Sequence, residues 1–219
     1  MDETIKQLFE FADRLEGMKQ IERFKGQAFW KEYPQPRRWD SVAEHCWRLS
    51  VLVLIVARRV QQPFNLERAL GMALTHDIPE IITGDASPLG SDGTGRDSHA
   101  YDPEIKATKD EAERRAAHEL FGLLPLLERD QLLTLHQEYE SQETFESRVV
   151  KALDKIEATL QCLEYRGGHM YRGHLEFAST YGVRGASVDP AVQALADELM
   201  RRMRAAYHEF VPVTSEVSV

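Results

Sequence analysis

The sequence predicts an all-α fold. Three observations carry that expectation. Apolar residues recur at helical spacing through most of the 219 residues. Capping and breaking residues punctuate those stretches. No stretch of useful length alternates polar and apolar residues as a half-buried strand would, and no internal repeat or low-complexity segment is visible.

The elements follow in chain order. Residues 2–16 place Ile5, Leu8, Phe9, Ala12 and Leu15 at helical spacing before Gly17 interrupts. Residues 18–24 restart a short helix through Met18, Ile21 and Phe24. Residues 25–39 read as a loop: Gly26, Pro34 and Pro36 break helix, and Phe29, Trp30, Tyr33 and Trp39 mix with Lys31, Arg37 and Arg38. Ser41, with Glu44 three residues on, fits a capping box. His45, Leu49, Leu52 and Val56 then repeat on one face, so His45 falls in the first turn of a core-facing stripe. Residues 65–77 follow, with Asn65 as cap and Leu66, Ala69, Leu70, Ala73 and Leu74 as the buried face. Pro79 stops or restarts that helix just after His76-Asp77, Glu80 lies one turn on, and Gly84-Asp85 closes the segment. Residues 86–102 are loop, and their Gly-Thr-Gly follows no predicted strand, a weak signal for phosphate binding. Further helices are expected over 103–121, starting at Pro103, then over 125–140, 143–165 and about 190 to 208. Residues 1–210 suit one domain, and 211–219 a flexible C-terminal tail.

Composition narrows the function. A net charge of -9 argues against a general nucleic-acid surface, which shows as a basic face. It also repels phosphorylated substrates, so any anion must be recruited locally, by a metal or a few placed arginines. The longest apolar run, 51–57, is too short to span a bilayer, and residues 1–10 are polar and charged rather than a signal peptide. Cys46 and Cys162 fall inside predicted helices without CxxC spacing, as buried free thiols of a reducing compartment. A cytoplasmic protein with no membrane partner is expected.

The residues that carry chemistry are His45, His76-Asp77 and Asp154. A lone helical histidine is more often a surface or hydrogen-bonded core residue, and His118, His136 and His208 fit that description; His169 and His174 flank a glycine-rich turn. His45 and His76 differ because both end apolar stripes and so point toward one interior. Asp77 places a charge where a core helix meets a turn, which is costly unless it is paired or coordinates a metal. Asp154 is the weakest of the four by itself, and spacing alone favours a solvated helix charge between Lys151 and Lys155. Two imidazoles with two carboxylates suit one divalent ion: manganese, cobalt, iron, nickel, zinc or, less well, magnesium. Open coordination positions would lower the pKa of a water and make it a nucleophile. Glu80 is spaced to handle a proton there, or to serve as an exposed helix-start acid. Asp85 is a similar helper or a turn residue.

The stretches 41–45 (Ser-Val-Ala-Glu-His), 76–85 (His-Asp-Ile-Pro-Glu-Ile-Ile-Thr-Gly-Asp), 138–140 (Glu-Tyr-Glu) and 151–155 (Lys-Ala-Leu-Asp-Lys) together resemble the HD-domain superfamily of metal-dependent phosphohydrolases, and within it the small 5′-deoxynucleotidases. The similarity runs from roughly residue 5 to 205. It implies an HD-domain helical bundle around a divalent metal site. His45, His76, Asp77 and Asp154 match the family's metal ligands, Glu80 its catalytic carboxylate and Asp85 a second active-site acid. Residues 18–24 match the segment whose arginine meets the substrate phosphate and whose next aromatic selects deoxyribose, which falls on Arg23 and Phe24; the family commonly has tryptophan at the latter position. The loop before His45 is longer than the family pattern, and Arg37 or Arg38 would be further phosphate contacts or solvated charges. The resemblance implies a nucleotide substrate and a homodimer. The rivals are a nucleoside triphosphate phosphohydrolase on the same scaffold and a non-catalytic nucleotide- or metal-binding module.

Overall fold

The computed structural model describes residues 2–25, 36–91, 93–165 and 172–210, with side chains to Tyr207. The tail at 211–219, most of the 25–39 loop, His169 and the His208 side chain lie outside the described residues. The helices are α1 (Glu3–Arg14), α2 (Gly17–Gln20), α3 (Val42–Val56), α4 (Leu66–Thr75), α5 (Glu80–Thr83), α6 (Pro103–Phe121), α7 (Leu126–Ser141), α8 (Phe145–Tyr165), α9 (Arg172–Phe177) and α10 (Pro190–Phe210). Among the described residues no strand forms; the one extended pairing is an isolated bridge between Glu22 and Ser41.

Local chemistry sets the helix starts that matter. Ser41 Oγ accepts from the Glu44 amide at 3.3 Å, and Glu44 accepts from the Ser41 amide at 2.9 Å, so the expected capping box opens α3. Asn65 accepts from the Arg68 amide at 3.0 Å at the start of α4. Asp102 caps α6 ahead of Pro103. α4 ends at Thr75, and the chain turns through His76–Pro79 into the single-turn α5.

α3, α4, α7, α8 and α10 enclose the main core, with Leu49 and Val53 meeting Met72, Tyr139, Leu153, Val192 and Met203. A second cluster joins Phe11, Met18, Val42, Ile78, Leu120 and Phe121, and a third gathers Phe24, Leu89, Cys162 and Phe177. His45 and His76 are buried at the ends of α3 and α4, beside the main core. Both cysteines are free and buried.

Two expectations change. The short helix expected over 18–24 stops at Gln20, because Ile21–Arg23 pair with Asp40–Val42: the Arg23 amide donates to the Asp40 carbonyl at 3.0 Å and the Val42 amide to the Ile21 carbonyl at 3.1 Å. Phe24 then takes a left-handed conformation, φ 62°. Leu74, expected on the buried face of α4, is exposed, and Met72 fills the core in its place.

Candidate metal centre and substrate pocket

Three elements bring the four spaced residues together. The first turn of α3 carries His45, the turn after α4 carries His76 and Asp77, and the middle of α8 carries Asp154. His45 Nε2 lies 3.6 Å from Asp77 Oδ2 and 3.2 Å from Asp154 Oδ1. His76 Nε2 lies 3.2 Å and 4.0 Å from the same two oxygens. Each imidazole thus faces both carboxylates.

This donor set fits a divalent ion. Ligand atoms about 2.1 Å from one ion and at right angles to each other lie about 3.0 Å apart, close to the separations seen. Both Nε2 atoms are buried and find no hydrogen-bond partner among the described residues, which is costly unless they serve another partner. The two imidazoles shift in opposite directions, and burial lowers the His76 pKa in spite of Asp77 and Asp154. Burial and Arg23 push the His45 pKa down, but Glu157 and Asp154 outweigh them and leave it at about 10. Cys46 also lies near His76 and Asp77. Burial, reinforced by the Asp77 charge, holds that thiol well above its usual range.

A surrounding shell fixes the cage. Glu157, 0% exposed, accepts from His45 Nδ1, from Arg23 Nη1 at 3.3 Å and from Arg48 Nε at 2.6 Å. An imidazole held through Nδ1 presents Nε2 to the cage in one orientation. Tyr139 Oη donates to Asp154 Oδ2 at 2.7 Å, leaving Oδ1 toward the histidines, and the Tyr139 ring packs 4.5 Å from that of His76. Arg23 Nη1 also meets Asp40 at 3.2 Å.

The remaining expected residues line one cavity beside the cage: Arg23, Phe24, Glu80 and Asp85. Glu80 is 6% exposed, its Oε2 finds no partner among the described residues, and burial together with Asp77 and Asp85 raises its pKa well above the carboxylate range. Gly84, at φ 74° with open space where a Cβ would stand, turns the chain so that Asp85 reaches back. Asp85 accepts from the Phe24 amide at 3.4 Å, the Arg23 guanidinium sits 4.9 Å from the Phe24 ring centre, and the ring meets Tyr165 edge-on at 5.9 Å. These contacts hold Phe24 in a conformation worth about 1 kcal/mol or more of strain for a residue with a Cβ.

Arg37 and Arg38 do not join this cavity. They line a separate groove with Trp47 and Arg48, and Arg38 pairs with Glu44 at 2.6 Å. His174, on α9, lines the cavity. Spacing did not single out Glu157, His99 or Lys109, nor Tyr139, Lys151 and Lys155 as separate functional groups. The available signal for Glu157 was its place three residues after Asp154, one helical turn away on the same face.

Residues 21–196 match the HD-domain family model. The chain belongs to the HD-domain family of metal-dependent phosphohydrolases. It is 33% identical to the 5′-deoxynucleotidase HDDC2 of Xenopus laevis over 152 residues, covering 68% of each chain. It is 32% identical to the human 5′-deoxynucleotidase HDDC2, covering 68% of this chain and 67% of that one. Among solved structures, a predicted metal-dependent phosphohydrolase from Magnetospirillum magnetotacticum aligns with TM-score 0.61 and 26% identity, over 92% of this chain and 97% of that one. Membership implies a divalent metal and a small-molecule substrate. No described helix is long and apolar enough to cross a membrane.

Proposed function

We propose that this chain is a 5′-deoxynucleotidase, releasing phosphate from deoxynucleoside 5′-monophosphates. The observation that carries the reading is the convergence of His45, His76, Asp77 and Asp154 beside a cavity that also contains Arg23 and Glu80. The similarity to named 5′-deoxynucleotidases supports the substrate class.

In this reading the four cage residues hold one divalent ion, of the manganese, cobalt, iron, nickel, zinc or magnesium group. When bound, such an ion neutralises phosphoryl charge and acidifies a water molecule. Glu157 keeps His45 Nε2 aimed inward, and Tyr139 keeps Asp154 Oδ1 aimed inward. Arg23, held by Asp40 and Glu157, adds fixed positive charge for the phosphoryl oxygens. Glu80 donates its proton to the departing 5′ oxygen, and its burial keeps that proton in place until then. Phe24 and Asp85 border the sugar. An exposed apolar stripe on α3, made of Trp47, Val51, Leu54 and Ile55, supports a homodimer, which sedimentation of the purified chain tests.

The deciding experiment is phosphate release from deoxy- and ribonucleoside 5′-monophosphates with each of the six ions. Release from the deoxy series with at least one ion is expected. Hydrolysis of neither series with any ion would refute the activity.

A further inference from the structure

A second cavity adjoins the metal cavity, sharing His99, Lys109, Lys151, Lys155 and Tyr181 as common walls. Beyond those walls it is lined by Lys106, Arg148 and Arg184, with Asp110 and Glu140 as its carboxylates. Six cationic side chains therefore face two anionic ones, in a chain with 27 basic and 36 acidic residues. A concave surface of one sign focuses field into its interior.

The pairing inside the cavity is incomplete. Lys106 pairs with Asp110, Lys109 with Glu113, and Lys151 with Glu140 at 3.8 Å. No described carboxylate lies within 4.0 Å of Lys155, Arg148 or Arg184. Arg184 stacks 4.9 Å from the Tyr181 ring centre and 5.6 Å from that of Tyr101, and Lys155 lies 5.0 Å from Tyr181. Those contacts position the cations without neutralising them.

Helix α8 orders the two cavities. Lys151 and Arg148 lie one and two turns before Asp154, while Ala158 and Cys162 lie one and two turns after it. At about 1.5 Å rise per residue, Arg148 to Cys162 spans about 21 Å. An apolar zone with Phe24, Cys162 and Phe177 thus occupies one side of the cage and a cationic zone the other.

We propose that the basic cavity is a binding subsite for a polyphosphate-class anion, reaching the cage from the side opposite the apolar zone. The anion is either the phosphate chain of a nucleotide that extends beyond the phosphoryl group at the cage or a free inorganic polyphosphate. The order along α8 rests on the phosphohydrolase reading; the binding itself does not.

The test is calorimetric titration of inorganic tripolyphosphate and, separately, of a deoxynucleoside triphosphate. Wild type is compared with an Arg148→Gln/Arg184→Gln double variant. Divalent ion is kept in free excess, so that chelation affects both proteins alike. Arg201→Gln, at an exposed ion pair that lines neither cavity, serves as the charge control. Roughly tenfold weaker tripolyphosphate binding by the double variant, with orthophosphate binding and monophosphate turnover unchanged, is expected. Equal weakening for the nucleoside triphosphate identifies the tail of a substrate. Weakening for tripolyphosphate alone identifies a free polyanion. Equal affinity of wild type and double variant for tripolyphosphate, or the same loss in Arg201→Gln, would overturn the subsite. Failure of monophosphate hydrolysis in wild type would remove the proposed activity and leave the binding result intact.

Discussion

The second half of α8 and its first half treat charge in opposite ways. Around Glu157 each buried charge meets its opposite: His45, Arg23 and Arg48 converge on one fully buried carboxylate. Around Arg148, Lys151 and Lys155, cations outnumber the carboxylates that face them. A closed charge network inside a protein resists movement, because removing one member leaves another buried and uncompensated. An open excess of one sign on a cavity wall attracts a mobile counter-ion instead. One helix thus joins a part that holds catalytic groups still to a part suited to receiving anions.

Substitutions can break this contrast, beginning with the cage between the two halves. Asp77→Ala should lose both metal and turnover, a fall of roughly a thousandfold or more, seen in metal content after desalting and in phosphate release. Glu80→Gln should keep the metal and lose turnover by about a hundredfold to ten-thousandfold; undiminished hydrolysis would remove Glu80 from the proton's path. Next comes the closed network. Glu157→Ala should destabilise the fold by about 3–5 kcal/mol in urea unfolding, since it removes the buried carboxylate that His45, Arg23 and Arg48 share, leaving Arg23 only Asp40 and Arg48 only Glu164 and Gln161. The milder Glu157→Gln should weaken metal binding by about 10- to 100-fold in a competition titration. Unchanged metal affinity in that variant would show that Glu157 serves packing and not the orientation of His45. The smallest effect belongs to Arg38→Gln, which breaks an exposed pair outside both cavities and should leave turnover within about twofold.

The parts of the molecule that local chemistry decides were readable in the sequence. Ser41 and Glu44 announce the start of α3, which places His45 in its first turn. Pro79 stops α4 where His76 and Asp77 are needed. The parts decided by distant residues were not. Residues 21–24 have helical spacing, yet pairing with Asp40–Val42 pulls them out of helix and sets Phe24 against Tyr165. Glu157 looks like a solvated charge near two lysines. Its burial depends on Arg23, His45 and Arg48, each more than 100 positions away. The basic cavity was hidden for the same reason. Lys106 and Lys109 belong to α6, Lys151 and Lys155 to α8 and Arg184 to the segment before α10, and only packing brings them to one wall.

The sharpest single measurement is phosphate release from deoxyadenosine 5′-monophosphate while manganese is returned to chelator-stripped protein. Expected is no turnover when stripped, recovery as the ion is added, and no recovery in His76→Ala at the same ion concentrations. Full turnover by the stripped protein, or equal recovery in His76→Ala, would contradict a metal cage built on His45, His76, Asp77 and Asp154.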